Sequence, residues 1–275
     1  MNALDLFRLD GRSAIVTGGG RGLGRYMAEA LSDAGASVAL CSRKIEPLQE
    51  VRDEIEARGG RTLALACDVT VQEDVERVVS ATAEAFGSLD VLVNNSGATW
   101  GAPPAQMPLD RFDRVLAVNV RGTFLMSQAV GRRMIERGSG GTIINVASIA
   151  ALVGGNPDYM QTVGYNSSKG AVISMTRDLA TSWARHNITV NAIAPWLVPN
   201  PHEWGFDREV RGEDAGRYPI GALRHPRRPR RRRRLPRLAG RRLRNRPDHR
   251  RGWRSHGMVG MGIKRQDLDE PVRAC

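Results

Sequence analysis

The sequence predicts an α/β fold, a doubly wound parallel sheet between two layers of helices. Two observations carry this. Over roughly the first 200 residues, short β-branched runs alternate with amphipathic helical stretches, as when each strand is followed by a crossover helix. A glycine-rich turn follows the first of these runs, where a βαβ unit needs a tight reversal. Nothing repeats internally at a solenoid period, and 275 residues suit one large domain with a sizeable core.

The elements follow in order. Ser13–Thr17, β-branched and closed by glycines, reads as the first strand, and Leu23–Ala34 as the helix after it. Ser37–Cys41 is the second strand, followed by an amphipathic helix over Ile45–Arg58 with a charged outer face. Thr62–Cys67 is the third strand, Glu73–Phe86 the next helix and Val91–Asn94 the fourth strand. One long helix is expected from Leu109 to about Arg137, containing Asn119, and then a fifth strand over Thr142–Ala147. A helix carrying Tyr165 and Lys169 runs to about Arg185, and Thr189–Ile193 is the sixth strand.

The net charge of +12 is unevenly placed. From Gly221 to Cys275 there are 19 Lys and Arg against 4 Asp and Glu, so the first 220 residues carry a net −3. The body is slightly acidic and enzyme-like; the basicity is in the tail. No N-terminal apolar run has membrane-spanning length and no signal peptide is recognisable, so a cytoplasmic protein without membrane attachment is expected. Cys41, Cys67 and Cys275 make no metal-ligand spacing and read as reduced thiols.

After the first strand comes Thr17-Gly-Gly-Gly-Arg-Gly-Leu-Gly24. Glycines at 18, 22 and 24 allow a tight turn, close backbone approach to a pyrophosphate and close helix–strand packing, with the helix N-terminus facing the anion. Gly18, Gly20, Arg21, Gly22, Leu23 and Gly24 are therefore candidate dinucleotide-binding residues. At the end of the second strand Ser42 stands where an acidic residue would hold a ribose 2′-hydroxyl, and Arg43 follows it. An arginine there suits a 2′-phosphate, so NADP(H) is expected over NAD(H), and Arg21 points the same way.

Ser148 precedes Tyr165-Asn-Ser-Ser-Lys169 by seventeen positions. Tyrosine and lysine at i and i+4 share one helix face. An ammonium there favours the phenolate, so the phenol could exchange a proton well below its usual pKa of about 10. A serine hydroxyl brought from elsewhere could hold a substrate oxygen beside it. Tyr159 has Val163, not lysine, four residues on and is set aside.

Together Thr17–Gly24, Asp68-Val-Thr, Asn94-Asn-Ser-Gly97, Asn119 in Val-Asn-Val-Arg-Gly, Ser148 and Tyr165-x-x-x-Lys169 resemble the short-chain dehydrogenase/reductase family over about residues 8–200. The resemblance implies a Rossmann-like α/β/α domain acting on a small carbonyl or alcohol substrate. It implies that Tyr165 is the general acid or base, that Ser148 holds the substrate oxygen, and that Lys169 bonds the nicotinamide ribose and lowers the tyrosine pKa. Asn119 would anchor a water linking Lys169 to solvent. Asp68 and Val69 would contact adenine, and Asn95, Ser96 and Gly97 would line the cofactor's ribose, with Pro195 also beside the cofactor. No metal is implied.

The sequence also departs from the family. The Ser148–Tyr165 interval is enlarged through Gly154-Gly-Asn-Pro-Asp158, Ser96 replaces alanine, Trp196 replaces glycine, and Asn200 replaces a threonine. Within the family, Asn95-Ser-Gly-Ala-Thr-Trp-Gly-Ala102 resembles the gluconate 5-dehydrogenase-like sugar-acid and polyol oxidoreductases, with 3-oxoacyl-[acyl-carrier-protein] reductases as the alternative. Trp100, Met160 and Trp204 could line either pocket, and Arg111, Arg114, Arg132 and Arg133 could face an acyl carrier protein.

Beyond residue 226 the family pattern stops: residues 227–254 hold fifteen arginines and Pro229, Pro236 and Pro247. A nucleic-acid-binding arm is one reading. A one-base frame slip near Pro226 fits better. With plausible codons, the shifted frame reads D-D-L-A-A-A-V-V and later T-G-Q-T-I-A-V-D-G-G, which resembles the family's last strand and turn. The expectation is a domain over 1–226 lacking its last strand, and an arginine-rich, disordered, out-of-frame tail over 227–275. The family's usual homotetramer would then be compromised, and an inactive product is the third reading.

Overall fold

Aliphatic and β-branched runs form the strands the sequence calls for: β1 (Ser13–Thr17), β2 (Ser37–Ser42), β3 (Thr62–Ala66), β4 (Val91–Asn94), β5 (Gly141–Val146) and β6 (Ile188–Ile193). Helices α1 (Gly22–Asp33), α2 (Glu46–Ala57), α3 (Gln72–Phe86), α4 (Leu109–Leu116), α5 (Thr123–Arg137) and α6 (Val163–Trp183) alternate with them. The computed structural model describes residues 3–154 and 161–196. The boundary at 226, the arginine tail, Tyr159, Met160, Asn200 and Trp204 lie outside the described residues.

The strands pair in parallel in the order β3-β2-β1-β4-β5-β6. Side chains alternate between the two faces, as the pleat requires. Ile15, Ala39, Leu92 and Ile143 meet buried residues of α3, α5 and α6 on one face. Ala14, Val16, Val38, Leu40 and Val93 meet Ala28 of α1 and Leu48, Val51 and Ile55 of α2 on the other. Each fully buried aliphatic side chain contributes about 1.5–3 kcal/mol, which fixes the strand register and with it the positions of the loops at the strand ends. The chain winds outward in both directions from β1 and β4, so a crevice opens where their carboxyl ends diverge.

Two features beneath that crevice position the site. A buried polar ladder ties β4 and β5 to α5 and α6: Asn94 Nδ2 donates to Ser127 Oγ and Asn145 Oδ1, each at 2.9 Å, and Asn145 Nδ2 donates to Thr176 Oγ1 at 2.9 Å. The other is an interruption. The single helix expected over Leu109–Arg137 is α4 and α5 separated by a π-helical turn, Ala117–Gly122, with Asn119 at its centre. Gly122 lies against Val69, where a Cβ would come within 2.7 Å of Val69 Cγ2, and Thr123 Oγ1 donates back to Asn119 O at 2.7 Å. The wider turn is thus held by close packing and a side-chain bond to the backbone.

Candidate active site

The loop between β1 and α1 has the conformation its glycines were expected to allow. Gly18 (φ +66°) and Gly22 (φ +53°) take left-handed backbone angles that favour glycine. A Cβ on Gly24 would collide with the Gly18 carbonyl and Asn95 Nδ2. Asn95 braces the loop from β4: its Nδ2 donates to Thr17 O (3.0 Å) and Gly18 O (3.2 Å). Thr17 Oγ1 accepts from the backbone N–H groups of Asn95 and Ser96, both at 2.9 Å. Helix α1 starts at Gly22 with no side-chain cap from Arg21, so its first-turn N–H groups are left for an anion.

Above this loop lies a cleft of about 800 Å³, within the size range of cofactor pockets. Its floor is the glycine loop, from Gly18 and Gly20 through Arg21, Gly22 and Leu23 to Gly24. One end carries Ser42, Arg43, Lys44, Asp68 and Val69; the other carries Ser96, Gly97, Ser148, Tyr165, Pro195 and Trp196. Ser42 Oγ donates to Lys44 O at 2.9 Å, so the hydroxyl shapes the turn that presents Arg43. Among the described residues, Asp68 is the one carboxylate lining the cleft. Burial raises its pKa, but bonds from Thr70 N (3.0 Å) and Oγ1 (2.7 Å), with Arg43 and Arg114 nearby, outweigh this and hold it below the ordinary value. The glycine cradle, an uncapped helix N-terminus and a basic end next to Asp68 fit an adenine dinucleotide. Among the described residues no cluster of metal-ligating side chains occurs.

Ser148 caps a short helical turn, Ile149–Ala151, its Oγ accepting from Ala150 N at 3.2 Å. Pro195 O accepts from Ile149 N at 3.1 Å, which fixes this turn to the segment after β6. Tyr165 and Lys169 lie one helical turn apart on α6, with Lys169 Nζ 5.6 Å from the Tyr165 ring centroid. Lys169 is buried and its Nζ donates to Val146 O at 2.6 Å. Burial pushes its pKa down to about 8. Asn119, fully buried, accepts from Ala98 N (2.7 Å) and donates to Ala98 O (2.9 Å) and Ser168 Oγ (2.8 Å). A Cβ on Gly97 would lie 3.5 Å from Asn119 Oδ1 and 3.8 Å from Lys169 Nζ, so both groups stand immediately behind the Gly97 wall of the cleft.

A family model described as short chain dehydrogenase matches residues 12–207. The chain belongs to that family. It is 42% identical over 201 residues to a sorbitol dehydrogenase from Cereibacter sphaeroides, covering 73% of this chain and 75% of that one. A crystal structure of a gluconate 5-dehydrogenase from Burkholderia cenocepacia, in complex with NADP and tartrate, superposes with a TM-score of 0.69 at 32% identity, covering 78% and 80% of the two chains. A crystal structure of an NAD⁺-bound xylitol dehydrogenase does so with a TM-score of 0.65 at 36% identity, covering 68% and 70%. The chain is therefore an oxidoreductase acting on a CH–OH group with NAD or NADP. Its helices include none long and apolar enough to cross a membrane among the described residues.

The structure thus gathers Ser148, Tyr165 and the predicted cofactor residues other than Lys169 around one cleft, and sets Asn119 and Lys169 behind its wall. The geometry defines two side chains further. The Asn119 amide hydrogens are both spent inside the protein, so the side chain fixes the wall and keeps only its remaining Oδ1 lone pair for a water. Trp196, which stands where the family has glycine, lines the cleft and is 60% exposed. The sequence reading had not placed Tyr26, Lys44, Pro47, Cys67 and Arg114 at the cleft. Of these, Arg114 stands out in the sequence only as one of four arginines on the expected long helix.

Proposed function

We propose that this chain interconverts a secondary alcohol and a ketone on a polyol or sugar acid, with NADP(H) preferred over NAD(H). The observation that carries the reading is the placement of Ser148 and Tyr165 on the same cleft as the glycine loop. The cofactor, when bound, accepts or supplies the hydride. Tyr165 donates the proton to the substrate oxygen in reduction and removes it in oxidation, and Ser148 Oγ donates a hydrogen bond to that same oxygen. Lys169, with its pKa near 8, is charged at neutral pH yet close to releasing a proton, which suits a group that restores the tyrosine's proton. Asn119 holds the loop at Ala98 and the helix at Ser168 so that Lys169 stays behind Gly97.

The coenzyme preference rests on the end of β2, where Ser42 is turned into the loop and Arg43 and Lys44 line the cleft. The relatives themselves include NADP-bound and NAD⁺-bound structures. The substrate class rests on relatives named for sorbitol, gluconate and xylitol. Arg111, paired with Asp110 at 3.3 Å, lies 4.5 Å from the Trp100 ring centroid and braces the loop that bears Trp100. The loop bearing Trp100 is tied by Ala102 N to Gln161 O (2.9 Å), just ahead of the helix that carries Tyr165. The test is turnover of a panel of polyols, sugar acids and their keto forms, each with both coenzymes, alongside a 3-oxoacyl thioester. Higher kcat/KM on polyols or sugar acids with NADP(H) is expected; preference for the thioester would overturn the substrate class, and preference for NAD(H) the coenzyme reading.

A further inference from the structure

Arg114 is a cation without a task in the reading above. It projects from α4 and is exposed, and among the described residues it makes no hydrogen bond or ion pair. It nevertheless lines the cofactor cleft and also a second cavity of about 320 Å³ beside it, bounded by Asp68, Thr70, Asp110, Asp113, Ala117 and Val118. Asp68, Arg114 and Val118 are shared by the two cavities, so Arg114 forms part of the partition between them. Arg43 approaches Asp68 from the end of β2 and Arg114 approaches it from α4, and both lower its pKa.

We propose that Arg114 is the outer wall of the adenine subsite, its planar guanidinium lying on the face of the purine, and that it therefore sets affinity for the adenosine half of the cofactor without discriminating NADP(H) from NAD(H). Two groups could attract a guanidinium here, a purine face or a phosphate. Asp68, Asp110 and Asp113 stand around the cavity wall that Arg114 forms, and three carboxylates make that spot poor for a second anion. A neutral aromatic face suffers no such repulsion, and a flat delocalised cation stacks on it well. Arg43, by contrast, stands beside Ser42 and Lys44 with, among the described residues, no carboxylate but Asp68 on the cleft, and it suits the 2′-phosphate.

The inference rests on the cleft holding a nicotinamide dinucleotide, so the test separates the two. Dissociation constants are measured for NADPH, NADH and reduced nicotinamide mononucleotide, which lacks the adenosine half, on full-length wild-type, Arg114→Ala and Arg114→Lys chains. The expected result is a loss of about tenfold for both dinucleotides in Arg114→Ala, partial recovery in Arg114→Lys, and no change for the mononucleotide. Because Arg114 is exposed on a helix, neither variant should unfold, and matching circular dichroism spectra check this. Loss confined to NADPH would place the guanidinium on the phosphate and overturn the proposal, as would equal affinities in wild type and Arg114→Ala. Failure of the wild-type chain to bind either dinucleotide would overturn the cofactor reading itself.

Discussion

Replacing Lys169 with methionine should remove activity while leaving the fold as stable or more so, and the size of that effect should depend on pH in a defined direction. Burial lowers the lysine pKa from 10.5 to about 8 in the folded chain. At about 1.36 kcal/mol per pH unit, holding the ammonium in its site costs roughly 3 kcal/mol at neutral pH. Methionine keeps most of the aliphatic stem but leaves the Val146 carbonyl without its 2.6 Å donor, a loss of about 1–3 kcal/mol. At pH 7 the variant should therefore range from equal to wild type to about 2 kcal/mol more stable. Below pH 8 the lysine is charged in both the folded and unfolded states, and its burial cost is fully present. Between 8 and 10.5 the folded chain releases the proton first, so the unfolded state binds more protons and wild-type stability rises with pH. By pH 10 the wild type should regain about 2–3 kcal/mol relative to Lys169→Met. Urea unfolding of both chains without coenzyme, at pH 7 and pH 10, measures this, and taking the difference cancels other titrating groups. A difference constant across that range, or a variant weaker by more than about 3 kcal/mol at pH 7, would refute the buried-charge reasoning.

Two further outcomes test the cofactor end, and a third, on α6, serves as a contrast. Gly24→Ala should destabilise the chain by about 2–4 kcal/mol and weaken dinucleotide binding at least tenfold, because its methyl displaces the Gly18 carbonyl and the Asn95 brace. Gly170→Ala on α6, where a Cβ meets nothing within 4 Å, should instead stabilise it by about 0.5–1 kcal/mol, both read from urea unfolding. Ser42→Asp should lower NADPH affinity at least tenfold and spare NADH, since a carboxylate there accepts from a ribose hydroxyl and repels a phosphate. Coenzyme titrations with both nucleotides check it.

The strands were legible because β-branched runs between glycine-bearing turns have few alternatives. β1 and β4 fall where expected, β2, β3 and β6 differ by one residue at one end, and β5 is displaced by one residue at both. Such shifts follow from pairing rather than from local preference: Ser42 joins β2 because it faces Ala66 of β3. The π-helical turn at Asn119 was not legible. It is held by Gly122 against Val69 and by the Thr123 bond to the backbone, contacts that leave no trace in helical periodicity. Among the site residues, those of the glycine loop and the Tyr165–Lys169 pair announce themselves by spacing within one element. Arg114 does not, because only the tertiary fold brings it to the cleft wall that it shares with Asp68. The inward turn of the Ser42 hydroxyl toward Lys44 was equally hidden, since it depends on the local backbone path and not on residue type.

The central claim is that Tyr165 moves the proton in a reaction driven from this cleft. The direct measurement is NADPH-linked reduction by wild type and Tyr165→Phe, with coenzyme dissociation constants determined for both. The account predicts that kcat falls by about 10²–10⁴-fold in the variant while coenzyme affinity stays within a factor of about two. Turnover persisting in Tyr165→Phe at a wild-type rate would contradict it.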